Sequence, residues 1–387
     1  MEYFRLSDCA DYASDRTSNI TVENYISTEN MIPNKGGVTT ASSIPDAKTA
    51  SAYKENDILL SNIRPYFCKI WLADKEGSCS NDVLVIRAKK DINSKFLYYV
   101  LSDKNFFNWD NVTSKGTKMP RGTPKAIMKY FVPNVDNNIQ QKIANILSRY
   151  DEAIENNNKR IKLLEQMAQN LYKEWFVRFR FPGWETCEFE NRIPVGWNVE
   201  KLGNFCKITD GTHDTPAQVE EGIPLVTGKA IRNGRIDFSI PYNISVEDHE
   251  KIKKRSGLKT GDILFSNIGT IGNVCLVNYD REFSVKNMII FKPESINQSM
   301  YLFYLLNSDS IQSLFTAQTN GASQQFLGLD FMRRFKILLP SEEIIKLFGE
   351  KEVLIIQQIN IFQQQNQNLA KQRDLLLPRL MSGKIEV

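Results

Sequence analysis

The chain has 387 residues, 42% of them hydrophobic and 24% charged, with a formal net charge of +4. That length and balance predict two or three ordinary globular domains, and no apolar run reaches the roughly eighteen residues that a membrane helix needs. Six cysteines without CxxC spacing, with only His213 and His249 beside them, exclude a zinc signature, so the thiols read as reduced and structural.

The N-terminal stretch MEYFRLSDCADYASDR carries acids where a signal peptide would carry a basic and then an apolar region, so a cytoplasmic protein with no membrane association is expected. A first domain is predicted over 1–133. Its polar segment Thr28 to Ser51 reads as loop. ENDILLSNI at Glu55 to Ile63 opens DILLSNIRPYFCKIWLA, two strands around Arg64 and Pro65. DVLVIRA from Asp82 reads as β, KFLYYVLSD from Lys95 as a short amphipathic helix, and SKGTKMPRG from Ser114 as a polar loop. Between Val112 and Tyr130 lie five basic residues, Lys115, Lys118, Arg121, Lys125 and Lys129, and no acid. An isolated basic run is usually a solvated face, but Lys and Arg at a loop also hold phosphates or read guanine. Arg64, Lys115, Thr117, Lys118 and Arg121 are therefore candidate DNA contacts, with Arg64 equally readable as a surface arginine.

Over 134–180 the apolar residues Ile139, Ile143, Ile146, Tyr150, Ile154, Ile161, Leu164, Ala168, Leu171 and Trp175 recur in steps of three and four, with Asn157 in register. This is the seam of one long helix, a rod of roughly 55 Å at ~1.5 Å per residue, and so narrow a stripe needs a partner helix. An aromatic-dense stretch, Tyr172 to Trp197, follows and includes a linker at 181–195. Its rings suit internal packing better than docking of another subunit.

The second domain, 196–340, repeats the first about two hundred residues on: GDILFSNI at Gly261, NMIIFKP at Asn287, YLFYLLNSD at Tyr301, and the loop TNGASQQF at Thr319. That loop is uncharged but holds Asn320, Ser323, Gln324 and Gln325, and amides can read adenine in the major groove. A second basic island, KIKKRSGLK, starts at Lys251, and His213, Lys229 and Arg232 are loop residues that read equally well as DNA contacts or plain surface. Over 341–387 the partner helix and a tail carry Ile345, Phe348, Ile355, Ile359, Phe362, Leu369 and Leu376, with Asn366 on the stripe. Asn157 and Asn366 either limit the register of the seam or turn to solvent.

The search for catalytic and metal residues is empty: there is no phosphate loop, no GxGxxG and no adenine-methylation motif, and GTIG at Gly269 to Gly272 is too short to count. Carboxylates lie mostly on helices, where a solvated face is expected. The plan of domain, helix, domain, helix, together with IPVGWNVEKLGNFCKITDG, LYKEWFVRF and above all LLLPRLMSGKIEV, resembles the specificity subunit of a type I restriction-modification enzyme across the whole chain. The resemblance implies an α+β protein: two similar α/β target recognition domains separated by two long antiparallel coiled-coil helices, with pseudo-two-fold symmetry. It also implies a non-catalytic subunit without a cofactor that binds double-stranded DNA. Two methyltransferase subunits, which bind S-adenosylmethionine and methylate adenine, and restriction/translocase subunits would assemble on it. The base-contacting residues of that family do not carry over by matching. A coiled-coil adaptor that binds proteins and not DNA is the alternative.

Overall fold

The structure, a computed structural model, describes residues 2–232, 234–319 and 326–385. The chain divides into two compact units, residues 1–159 with 362–387 and residues 160–361, so each globular part takes a share of both long helices.

In the first unit a four-stranded antiparallel sheet runs in the order Ala10–Tyr12, Val83–Ala88, Ile58–Ser61, Ile70–Leu72. Ile58–Ser61 is buried on both faces, which is why ILLS reads as a continuous run and not as an alternation. Tyr3–Arg5 pairs with Phe131–Pro133 just before the long helix. The helices Ser94–Leu101 and Lys104–Thr113 start at Asn93 and Asp103, whose side chains accept the N–H groups of Phe96 and Asn105. Only the first of these two helices is legible in the sequence.

The second unit repeats the sheet order with Lys207–Asp210, Met288–Lys292, Ile263–Ser266 and Val274–Leu276, and pairs Asn198–Lys201 with Lys336–Leu339. The repeated Asp-Ile-Leu motif has a physical reason. Asp57, buried, accepts the backbone N–H of Lys54 at 2.8 Å and the guanidinium of Arg87 at 2.7 Å. Asp262 accepts the N–H of Lys259 at 2.9 Å and the ammonium of Lys292 at 2.5 Å. Each carboxylate thus closes the turn into the central strand and is neutralised from the neighbouring strand, as a buried charge requires. The motif belongs to the fold and not to a reaction.

The first long helix, Asn137–Tyr172, ends in a wide turn at Lys173–Val177, and the second spans Glu342–Met381. They are antiparallel. In the first unit Asn157 donates to Asn366 Oδ1 at 2.9 Å, Asn366 donates to Asn158 Oδ1 at 2.8 Å, and Arg373 pairs with Asp151. In the second unit Ala168 packs with Ile355 and Ile359, and Trp175 with Phe348 at 5.9 Å. The LYKEWFVRF motif supplies Tyr172, Trp175 and Phe176 to the second unit's core, and LLLPRLMSGKIEV supplies Leu377 and Leu380 to the first unit's core.

Asn157 is 8% exposed and donates to the amide oxygens of Asn366 and Gln365, so it is not turned to solvent, and the setting is the one in which a seam amide would limit register at a cost in stability. Asn157→Leu should raise the melting temperature of the first unit by about 2–4 °C, the shift that ~1 kcal/mol gives in a body of this size. A lowered melting temperature would mean that the amide pair is worth more than the apolar contact replacing it.

Candidate nucleic-acid interface

In the first unit, the sheet edge where Ile58–Ser61 ends carries the candidate residues together. The loop leaves the helix Lys104–Thr113 and is tied at its neck, where Lys115 and Arg121 exchange backbone hydrogen bonds of 2.9 Å in both directions. Its return strand lies along the Asn62–Arg64 segment, with Arg64 N–H donating to Pro120 O at 2.7 Å and Gly122 N–H to Asn62 O at 3.0 Å. Lys115, Thr117 and Lys118 are exposed, as is Arg121, which pairs with Asp82 at 2.9 Å. Arg64 sits in the left-handed region at φ 51°, a conformation a non-glycine residue adopts only when its surroundings impose it. Its Nε is buried, with no hydrogen bond among the described residues. The turn it opens, Pro65–Phe67, exposes Tyr66 and Phe67. Arg64, Lys115, Thr117, Lys118 and Arg121 therefore share one rim. Three of them, Lys115, Thr117 and Lys118, are solvent-facing, and among the described residues they have no ion pair like the one that occupies Arg121.

The second unit builds the same frame. Leu327 N–H donates to Asn267 O and Asn267 Nδ2 to Leu327 O, both at 3.0 Å, and Ile268 bridges Phe326 as Ile63 bridges Arg121. The residues Asn320, Ser323, Gln324 and Gln325 lie outside the described residues. The ends flanking them, Thr319 and Phe326, correspond to those of the first loop. At the same sheet edge His213 faces Asp210 Oδ2 at 2.8 Å through Nε2 and Asn287 Oδ1 at 3.0 Å through Nδ1. Hydrogen bonds donated by the ring to Asn287 Oδ1 and Asp210 Oδ2 raise the imidazole above its ordinary value and hold it toward the charged form. Arg255 pairs with the same Asp210, and Lys286 reaches Thr215. The edge therefore carries His213, Arg255 and Lys286 close together. Among the described residues no group of His, Cys, Asp and Glu is placed to hold a metal ion, and all six cysteines are free.

The comparisons with known proteins decide the family. The type I restriction modification DNA specificity domain matches twice, over residues 1–166 and 194–373. The chain belongs to the family of type I restriction-modification specificity subunits.

Relatives of this specificity subunit include the type I restriction enzyme MjaIX specificity subunit of Methanocaldococcus jannaschii, 26% identical over 77% of this chain and 71% of the relative. Another is the HindI specificity subunit of Haemophilus influenzae, 24% identical over 93% of this chain and 94% of the relative. The crystal structure of the S subunit from M. genitalium shares the fold, with a TM-score of 0.57 at 16% identity over 98% of this chain and 95% of that one. The two specificity-domain matches each contain one of the two sequence segments, 114–121 and 320–325. The sequence reading of this specificity subunit missed Asn62 and Asn267, whose signal is their recurrence in the SNI of both halves. It also left His213 unassigned, for which no local pattern exists. No helix among the described residues is long and apolar enough to cross a membrane.

Proposed function

We propose that each half of this specificity subunit reads one half of a bipartite, asymmetric double-stranded DNA site, through the loop 114–121 in the first half and the loop 320–325 in the second. The observation that carries this reading is the pair of equivalent frames, Asn62 with Gly122 and Asn267 with Leu327, and the sequence segments beside them differ in chemistry, one cationic and one rich in amides. Cations hold phosphates or guanine and amides suit adenine, so the two half-sites differ in sequence. The subunit itself is non-catalytic and works in the cytoplasm, where two methyltransferase subunits and the restriction/translocase subunits assemble on it. Leu163, Met167 and Leu354, exposed apolar positions on the long helices, are offered for that docking. The family assignment disfavours an adaptor with no role at DNA.

The order of domain, helix, domain, helix further supports the helices as the measure of the gap between half-sites. Inserting one heptad at matched levels of both helices keeps the seam in phase and adds roughly 10 Å, at ~1.5 Å per residue. The preferred gap should lengthen by about three base pairs at ~3.4 Å each, while the bases read in each half stay the same. Mapping of methylated adenines in cells co-expressing the extended chain with its methyltransferase subunit checks this. An unchanged gap would show that something other than the helices sets the distance.

A further inference from the structure

Asp110 lies in the helix that leads into the first loop and is 0% exposed. Neither of its carboxyl oxygens makes a hydrogen bond among the described residues, and neither does the buried Oδ1 of Asn62. These groups meet at Gly122: a Cβ placed there would stand 2.6 Å from Asp110 Oδ1 and 2.8 Å from Asn62 Oδ1. Two buried acceptor oxygens turned toward one point are reconciled when the carboxyl carries a proton and donates it, or when the Asn62 amide turns its N–H2 toward an ionised carboxylate, and the two cases differ in their response to pH. Burial alone pushes the Asp110 carboxyl up to about 7, so the neutral acid is available.

The second half shows that the fold does not need this carboxyl. The residue equally far into the corresponding helix, Asp309–Thr319, is Phe315, buried and packed edge-on against Phe265 at 5.3 Å. A phenyl ring meets the packing requirement there. A polar group in its place serves something particular to the first half, and its neighbours there are the two residues that close the loop.

We infer that Asp110 is a positioning residue for the loop 114–121, its carboxyl proton bonded to Asn62 Oδ1 so that the strand end receiving Gly122 N–H is fixed. Asn62 is tied from both sides of its backbone: its N–H donates to Asp82 O at 2.8 Å and its carbonyl accepts from Gly122 at 3.0 Å. Locking its side chain locks the return of the loop. The other titratable and charged groups around the site are Tyr12, whose phenol donates to Pro124 O at 3.0 Å, Arg64, and the Asp82–Arg121 pair at 2.9 Å. Ionisation of Asp110 removes the donor and leaves three buried acceptor oxygens without one. The folded chain holds this proton more tightly than the unfolded chain, so global stability also falls as pH rises from the ordinary carboxylate range to about 7.

The consequence for DNA rests on the proposed reading role of the loop, whereas the positioning does not, and the experiment separates the two. Hydrogen exchange of peptides spanning Lys115 to Gly122 is compared between the full-length chain and its Asp110→Asn and Asp110→Ala variants at each pH from 6 to 9. Binding to a pool of random-sequence duplex DNA is measured in parallel. Asp110→Asn always has an N–H to donate, so its protection should be independent of pH once intrinsic exchange is divided out. The wild type should match it below about 7 and lose up to ~tenfold in protection per pH unit above, as the neutral fraction falls. Asp110→Ala should lack the protection throughout, and if that variant does not fold, the comparison with Asp110→Asn stands alone. Parallel loss of DNA affinity in the wild type supports both readings. Loss of protection with unchanged affinity supports the positioning and removes the loop from the DNA interface. Identical profiles for wild type and Asp110→Asn overturn the inference.

Discussion

Replacing Leu377 with alanine should destabilise the first unit by about 2–5 kcal/mol, the range for a leucine removed from a packed core that cannot collapse onto the gap. Leu377 is 3% exposed and Leu380 2%, and both belong to the core that holds Ile143, Leu147 and Leu101. They arrive from the far end of the chain, on a helix that continues through Pro378 to Met381. Polar ties hold the same stretch: Lys35 pairs with Asp374 at 3.0 Å, and Arg373 lies between Asp374 and Asp151. The C-terminal motif is therefore a clasp on the first unit. The destabilisation should show as faster hydrogen exchange in Ser94–Leu101, with Ile296–Asn307 of the second unit affected far less. Unchanged protection of Ser94–Leu101 would mean that the C-terminal segment adds nothing to that core.

Replacing Lys118 and Arg121 together with alanine should weaken DNA binding by about 1–3 kcal/mol if either side chain reads a base, with discrimination lost in one half-site. If both hold phosphates, affinity falls uniformly across sequences, and the slope of log affinity against log salt drops by about 1 for each phosphate that is no longer neutralised. Lys118 is exposed, and its replacement should act on DNA alone. Arg121 also pairs with Asp82 across the loop neck, so Arg121→Ala releases that carboxylate and should loosen the loop as well. A titration series in salt with specific and random duplexes separates the contributions. Changing Gln324 and Gln325 should alter only the other half of the site. Relaxation of both half-sites by either pair would contradict the assignment of one domain to one half-site.

Much of this organisation is legible in the sequence because the repeat preserves interactions that the fold needs twice. Asp57 and Asp262 recur because each closes the same turn and takes a cation from the next strand. The three- and four-residue spacing of Ile139, Ile143, Ile146 and Tyr150 shows the seam because a narrow apolar stripe is what a paired helix buries. The aromatic cluster after the first helix reads as core for the same reason that Trp175 and Phe176 are buried. The helix Lys104–Thr113 is hidden because its buried Phe106 and Phe107 are adjacent within a polar run, KNFFNWDNVT, which shows no helical period. Asp110 is hidden more deeply. A carboxylate on a helix is expected to face water, and this one is covered by segments from elsewhere in the chain, Gly122 and Asn62 among them. His213 is hard to read because Asn287 is brought to it by strand pairing across the sheet edge, while Asp210, three residues before it, forms no recognised motif with it.

The most direct measurement is strand-resolved mapping of methylated adenines in cells that express this chain with its methyltransferase subunit, repeated with the loop 114–121 exchanged for that of a relative. One bipartite motif of two different half-sites at a fixed gap is expected, and the exchange should change one half-site while the other half and the gap stay as they were. A single uninterrupted motif, two identical half-sites, or a loop exchange that leaves both halves unchanged would contradict that expectation.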